Sequence, residues 1–231
     1  GRRADRRDTG DLLSMLLSVR DEENGEGMSD VELRDQVMTF IGAGHETTAV
    51  ALGWTWYLLA QHPEVETKLG EEVRGVLAES IPTVGDLQKL VYTRRVIEES
   101  LRLYPPVIAV IRDVIDEDQI GGFRIPAGSG VILSQYVTQR HPEFWPDAEK
   151  FDPERFSPGK CEGRPKFAWF PFLGGPHQCI GAEFAMMEMM LVVAMVMQRY
   201  RLKLAEGSKV EVRVTLSLRP KNGIPMRLAR I

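Results

Sequence analysis

The chain is short of the residues that staple or anchor a protein. It has two cysteines in 231 residues, Cys161 and Cys179, and no cleavable signal pattern at its start. Those two features argue against a disulfide-built secreted scaffold and predict a reducing, cytoplasmic setting. Long apolar runs are missing too. The most apolar one, Met189 to Met197, lies between Glu188 and Gln198 and falls far short of the ~20 residues of a membrane span. Basic charge is in deficit, with 29 lysines and arginines against 33 acids and a formal net charge of -4, which argues against a nucleic-acid binder. No internal repeat or low-complexity tract is visible.

What is present is a globular mixture, 43% hydrophobic and 27% charged, in a length that can bury one large core or two modest ones. The opening GRRADRRDTGD has no methionine and runs straight into Leu12, Leu13, Leu16 and Leu17, so it reads as cut rather than begun. A short amphipathic helix is expected from about Asp11 to Arg20, then a solvated loop at DEENGEGM. Ser29 and Glu32 have the spacing of a capping box, and helix-compatible sequence follows as far as Gln61, ~45 Å at 1.5 Å per residue. His62-Pro63 closes that helix and starts another at PEVETKLGEEVRGVL. Beyond Pro82 and Gly85, a helix rich in Leu87, Leu90, Val91, Val96, Ile97 and Leu101 should run to Tyr104 and stop at Pro105-Pro106.

From Val107 to Tyr136, short β-prone runs are separated by GG and PAGSG, so strands and hairpins are expected. Seven prolines between 141 and 178 favour a long ordered coil. An apolar helix should fill Ala182 to about Leu202, and Val210, Val212, Val214 and Leu216 alternate as a half-buried strand before a turn at Lys221-Asn222-Gly223. The expected class is mainly α with a small β-sheet.

Three constellations carry chemical interest. In FPFLGGPHQCIGAEFA, Gly174, Gly175 and Gly181 strip side chains from both sides of Cys179, so a flat object can approach the backbone while the following helix points its amide end at the sulfur. A thiolate is stabilised in such a place, although a small buried cysteine beside a helix cap fits the same residues. A cysteine nucleophile would need a base, and the four histidines are His45, His62, His141 and His177, the last only two residues away. In IGAGHETTAV, Thr47 lies three and four positions beyond Gly44 and Ala43, placing small groups and a hydroxyl on one side of the long helix. A close helix crossing would use the same residues. Glu46, a carboxylate in an otherwise apolar run, is expected to be interior and so to favour function. Glu99 and Arg102 share a helix face ahead of LRLYPP, and Arg155 in FDPERF offers a second guanidinium, which makes either a buried charge cluster or an exposed i,i+3 pair.

Taken in order, the ETT helix, EESLRLYPP, FDPERF and FPFLGGPHQCIG closely resemble the haem-thiolate monooxygenases called cytochromes P-450. The resemblance runs from about Leu12 to Arg230 and covers the second half of that family's usual length, so residues 1–231 would form a partial domain, the C-terminal half of the cytochrome P-450 fold. It implies haem b as cofactor and Cys179 as the axial ligand of its iron, in a loop shaped by Phe172, Gly175 and Gly181. Ala43 and Gly44 would lie against the cofactor, and Thr47 and Glu46 match the family's alcohol and acid pair. Glu99, Arg102 and Arg155 match its structural triad. Arg112 matches a propionate-binding position, and His177 stands where the family usually has arginine for the same purpose.

The implied reaction is O2-dependent hydroxylation of a small apolar organic substrate by a soluble, bacterial-type enzyme. No flavin, nicotinamide or iron–sulfur motif is present, so electrons would come from a ferredoxin or flavodoxin-type partner. Lys160, Arg164 and Lys166 offer a basic docking surface. Two alternatives share Cys179: a non-catalytic haem-binding or structural fragment, and a haem-thiolate isomerase or dehydratase.

Overall fold

A computed structural model describes residues 8–215 and 217–231. The described residues fall into two compact units that divide between Glu46 and Thr47, within one continuous helix. In the first unit, α1 (Leu12–Ser18) is capped by the Asp11 carboxylate, which accepts from the Ser14 amide at 2.9 Å. The start of α2 (Asp30–Gln61) is fixed as the sequence predicts: Glu32 accepts from the Ser29 amide at 2.8 Å, and Ser29 Oγ accepts from the Glu32 amide at 3.2 Å. Thirty-two residues give α2 a length of about 48 Å.

The core belongs to the second unit. Ala51, Leu58 and Leu59 of α2 meet Val65, Leu69, Val73 and Leu77 of α3 (Pro63–Leu77), four positions apart along one stripe. Val96, Ile97 and Leu101 of α4 (Val91–Leu103) and Met186, Met189, Met190, Val193 and Met197 of α6 (Ala182–Met197) complete it. Between α4 and α6 lie the strands, the short α5 (Gln135–Thr138) and the proline-rich coil, whose regular pieces are 3-10 turns at Pro153–Phe156, Lys166–Ala168 and Gly175–His177. Among the described residues, no helix is long and apolar enough to cross a membrane.

Among the described residues the strands pair as four small two-stranded antiparallel sheets. β1 (Val110–Asp113) pairs with β4 (Gly130–Leu133), and β2 (Asp118–Ile120) with β3 (Phe123–Ile125) across Gly121 and Gly122. Both glycines have positive φ, as a tight hairpin of this twist requires. β5 (Tyr200–Leu204) pairs with β8 (Met226–Arg230), and β6 (Val212–Val214) with β7 (Leu218–Pro220).

Three boundaries and one burial pattern depart from the sequence reading. The helix expected through Leu87 and Leu90 is split. A Thr83–Asp86 capping box starts a 3-10 turn at Val84–Lys89, and α4 begins anew at Val91, where the Glu72 carboxylate accepts from the Tyr92 and Thr93 amides. The last apolar helix stops at Met197, not Leu202, because Tyr200 onward is claimed by pairing with β8. The β-prone run ends at Leu133, three residues before Tyr136, since Ser134 Oγ accepts from the Val137 amide and caps α5. Val212 and Val214 are exposed, not half-buried, in a hairpin that pairs with no third strand among the described residues, and Leu216 lies outside them.

Candidate functional site

The segment that carries Cys179 is held by its backbone. Gln139 Oε1 accepts from the Phe170 amide at 2.9 Å, and the Leu173 amide bonds to the Phe170 carbonyl at 3.0 Å. The chain then reverses so that the Cys179 amide bonds to the Phe172 carbonyl at 2.9 Å. Leu173 has φ 62°, a left-handed conformation unusual for leucine, and marks a bend that the surrounding bonds enforce. A Cβ on Gly174 would meet the Phe167 ring at 2.5 Å, so no other residue fits there without movement. Cys179 and Gly181 carbonyls accept from the Ala182 and Ala185 amides, which passes the loop directly into α6.

Cys179 is a free, exposed thiol, and its neighbours Ile180 and Phe184 are 88% and 65% exposed. A Cβ on Gly181 would stand 3.9 Å from Sγ, an ordinary contact. Among the described residues, no three histidines, cysteines or acids gather as a metal cage. One outward thiol beside apolar side chains fits a group that brings most of its own metal ligands, as haem does with four nitrogens.

Away from the loop, Glu99 and Arg102 are both fully buried. Arg102 donates to Glu99 at 2.6 and 2.9 Å, and to the carbonyls of Gln139, Ala148 and Lys150 at 2.9, 2.7 and 3.1 Å. Its guanidinium also lies over the Trp145 ring, 5.0 Å from the centroid. Arg155 Nε stands 3.4 Å from Glu99 Oε1, an ion-pair contact without hydrogen-bond geometry, while its Nη2 donates to the Asp147 carbonyl at 2.9 Å. Burial raises the Glu99 carboxyl above its ordinary pKa. The Arg102 bond and charge, the Asp152 amide and the Arg155 charge oppose that rise. The three side chains thus pin the 147–155 coil to α4.

Other expected residues stand apart from these contacts. Arg112 lies on β1 opposite Val131, half-exposed, with Nη1 on the Ile111 carbonyl at 3.1 Å. His177 is exposed in its 3-10 turn. Among the described residues, no hydrogen bond or ion pair ties either one to Cys179. On α2, Thr47 is half-buried and Thr48 buried, whereas Ala43, Gly44 and Glu46 are exposed. The interior position expected of Glu46 is therefore corrected: apolar neighbours in sequence do not bury a helix face unless another element covers it. A Cβ on Gly42 or Gly44 would meet nothing within 4 Å. Of the three cations expected on a basic docking surface, Lys160 and Lys166 are exposed and Arg164 is half-buried. Arg164 lies 3.9 Å over the Trp145 ring, bonds to the Arg155 and Lys160 carbonyls, and has its pKa lowered by burial, so it is part of the packing. Sequence reasoning missed Gln139, Glu72 and Trp145, since nothing in their local pattern signals the distant backbone groups they meet.

The Cytochrome P-450 family profile matches residues 2–226. The chain is 43% identical over 207 residues to cyclooctat-9-en-7-ol 5-monooxygenase of Streptomyces melanosporofaciens, covering 90% of this chain and 45% of that protein. It is 41% identical over 211 residues to cyclooctatin synthase of the same organism, covering 91% of this chain and 46% of that one. Its fold matches the solved structure of retinoic acid-bound cyanobacterial CYP120A1 with a TM-score of 0.93 at 36% identity, over 98% of this chain and 53% of that one. The chain spans about half the length of the relatives it matches. An outward thiol on a backbone-tied glycine loop, a buried glutamate–arginine cluster and a family match along nearly its whole length lead to one conclusion: the chain belongs to the cytochrome P-450 family.

Proposed function

We propose that this chain supplies the thiolate-ligand loop and the oxygen-side helix of a haem-thiolate monooxygenase that hydroxylates an apolar organic substrate with O2 and electrons from a separate ferredoxin or flavodoxin-type donor. The observation that carries the reading is the outward thiol of Cys179 at the head of apolar α6, with its amide tied to Phe172 and with Gly175 and Gly181 beside it. The proposed cofactor is haem b, which when bound to a thiolate supplies O2 activation. Cys179 would hold the iron, and Phe172 would fix the loop through its carbonyl. Arg112 and His177 would meet the propionates, the histidine as a weaker cation than arginine at neutral pH. Glu99, Arg102 and Arg155 are assigned to holding the coil that leads to the loop, away from the chemistry. An apolar substrate accords with the retinoic acid bound in the cyanobacterial structure.

On α2, Ala43 and Gly44 would admit the flat cofactor, since their faces are exposed. Thr47 would hold a water or proton at the oxygen side, with Glu46 as the acid that resupplies it. The proton role predicts that Thr47→Ala in the full-length protein keeps its haem but loses product per electron consumed, by ~10²-fold or less, the range for one positioned proton donor. Unchanged coupling would reduce Thr47 to a packing group.

The reading as a whole is tested by the absorption spectrum of the reduced, carbon monoxide-bound full-length protein. The expected result is the red-shifted Soret band of thiolate ligation, lost in Cys179→Ser. A folded, haem-loaded protein without that band, or a Cys179→Ser variant that retains it, would remove Cys179 from the iron.

A further inference from the structure

A helix leaves its last four carbonyls without internal partners. In α4 these are Ser100, Leu101, Arg102 and Leu103, the turn that contains the Arg102 of the buried cluster. The Ser100 carbonyl takes the Tyr104 amide at 2.8 Å, and the Leu103 carbonyl takes Arg140 Nη2. The remaining two are met by one side chain: Gln139 Nε2 donates to Leu101 at 3.0 Å and to Arg102 at 3.1 Å. The other end of that amide faces a different part of the chain, where Gln139 Oε1 accepts from the Phe170 amide at 2.9 Å. The Gln139 carbonyl in turn accepts from Arg102 Nη1 at 2.9 Å.

Both donors of this fully buried amide are used, and its oxygen accepts one bond. Along the chain toward Cys179, the Phe170 bond is the last one made by a side chain among the described residues. From 171 to 179 the hydrogen bonds among the described residues are backbone ones, while Pro171 is buried and the Phe172 side chain packs against the core. Two other ties precede it, Trp145 Nε1 to the Ala168 carbonyl at 3.1 Å and Trp169 Nε1 to the Glu98 carbonyl at 3.2 Å.

We propose that Gln139 is a positioning residue for the thiolate loop, transferring the location of the Glu99–Arg102 turn of α4 to Phe170 and, through the Phe170–Leu173 and Phe172–Cys179 backbone bonds, to the ligand thiol. The geometry requires two donors on one side and one acceptor on the other. A carboxylate would present oxygens to two carbonyls, and an aliphatic side chain would leave three buried backbone groups unpaired. The inference rests on Cys179 being the haem ligand proposed above.

The test uses the full-length haem-loaded protein and reads amide hydrogen exchange residue by residue. In the wild type, the Phe170 amide should exchange as slowly as core amides of α4, and far more slowly than that of Gln178, bonded only to the nearby Gly175 carbonyl at 3.1 Å. Gln139→Met keeps the length and removes the hydrogen bonds. It should raise exchange at Phe170 and Cys179 by ~10-fold or more while Val193 in α6 is unchanged, because opening becomes local rather than global. Haem transfer to an apoprotein acceptor should quicken with it. Trp54→Phe, which deletes a buried bond to the Leu218 carbonyl, serves as the control for stability loss elsewhere and should show no such selectivity. A uniform rise in Gln139→Met, or none at Cys179, would overturn the proposal. If that variant does not fold, the wild type decides: a Phe170 amide that exchanges as fast as that of Gln178 overturns it. A missing thiolate spectrum would remove the haem reading and leave the amide contrast readable.

Discussion

Arg102 shows how much one side chain can be asked to do. Two of its five bonds go to Glu99 and three join α4 to carbonyls 37 to 48 residues away, all from a fully buried guanidinium. Arg102→Ala would strand the Glu99 carboxylate and three carbonyls at a cost of ~3–5 kcal/mol. In the full-length protein we expect a lowered thermal midpoint together with a low haem-to-protein ratio. A variant with normal values for both would show that the cluster is dispensable. The i,i+3 spacing of Glu99 and Arg102 is plain in the sequence, yet Arg94 and Glu98, on the same helix, form an ordinary partly exposed pair. What separates the two pairs is the distant coil laid over one of them, and no local pattern encodes that. Glu46 makes the same point in reverse. Its apolar neighbours are legible, and whether anything covers them is not.

Among the elements, α4 depends on a neighbour at each end. Its N-cap position, Leu90, has no side chain able to cap. The missing acceptor comes from α3, where the Glu72 carboxylate takes the Tyr92 amide at 2.5 Å, the Thr93 amide at 2.7 Å and Thr93 Oγ1 at 2.8 Å. A negative group at a helix N-terminus also meets the positive end of the helix dipole. Glu72→Ala should therefore cost about 1–2 kcal/mol, in the range of a lost N-cap, with Glu72→Gln between it and the wild type. Denaturant midpoints of the three proteins check this, and three equal midpoints would show the contact to be incidental. Periodicity and proline made α2, α3 and α6 readable to within a few residues. The split at Leu90 was not readable, because the carboxylate that restarts the helix lies twenty residues upstream. The strands were seen as β-prone runs, but their partition into four ladders depends on partners such as β5 and β8, which local alternation does not identify.

At the scale of the molecule, the motifs gave the family and the helical periodicity gave the class, while exposure followed neither. Large apolar side chains such as Ile111, Ile132 and Val137 are exposed on β1, β4 and α5, around the same ladder that carries Arg112. The second unit is secured by contacts between its extremes. Trp54 stacks on Tyr104 at 4.2 Å and donates Nε1 to the carbonyl of Leu218, whose own amide bonds to Pro106. That bond spans 164 residues. On a ribosome adding ~5–20 residues each second, the indole of Trp54 would wait on the order of ten to thirty seconds for its acceptor to be synthesised. Through most of that interval α3, α4 and the far end of α2 exist without the thiol-bearing loop or the strands that lock them, so the nascent chain is a natural client for chaperones that shield apolar helices until the last strands emerge.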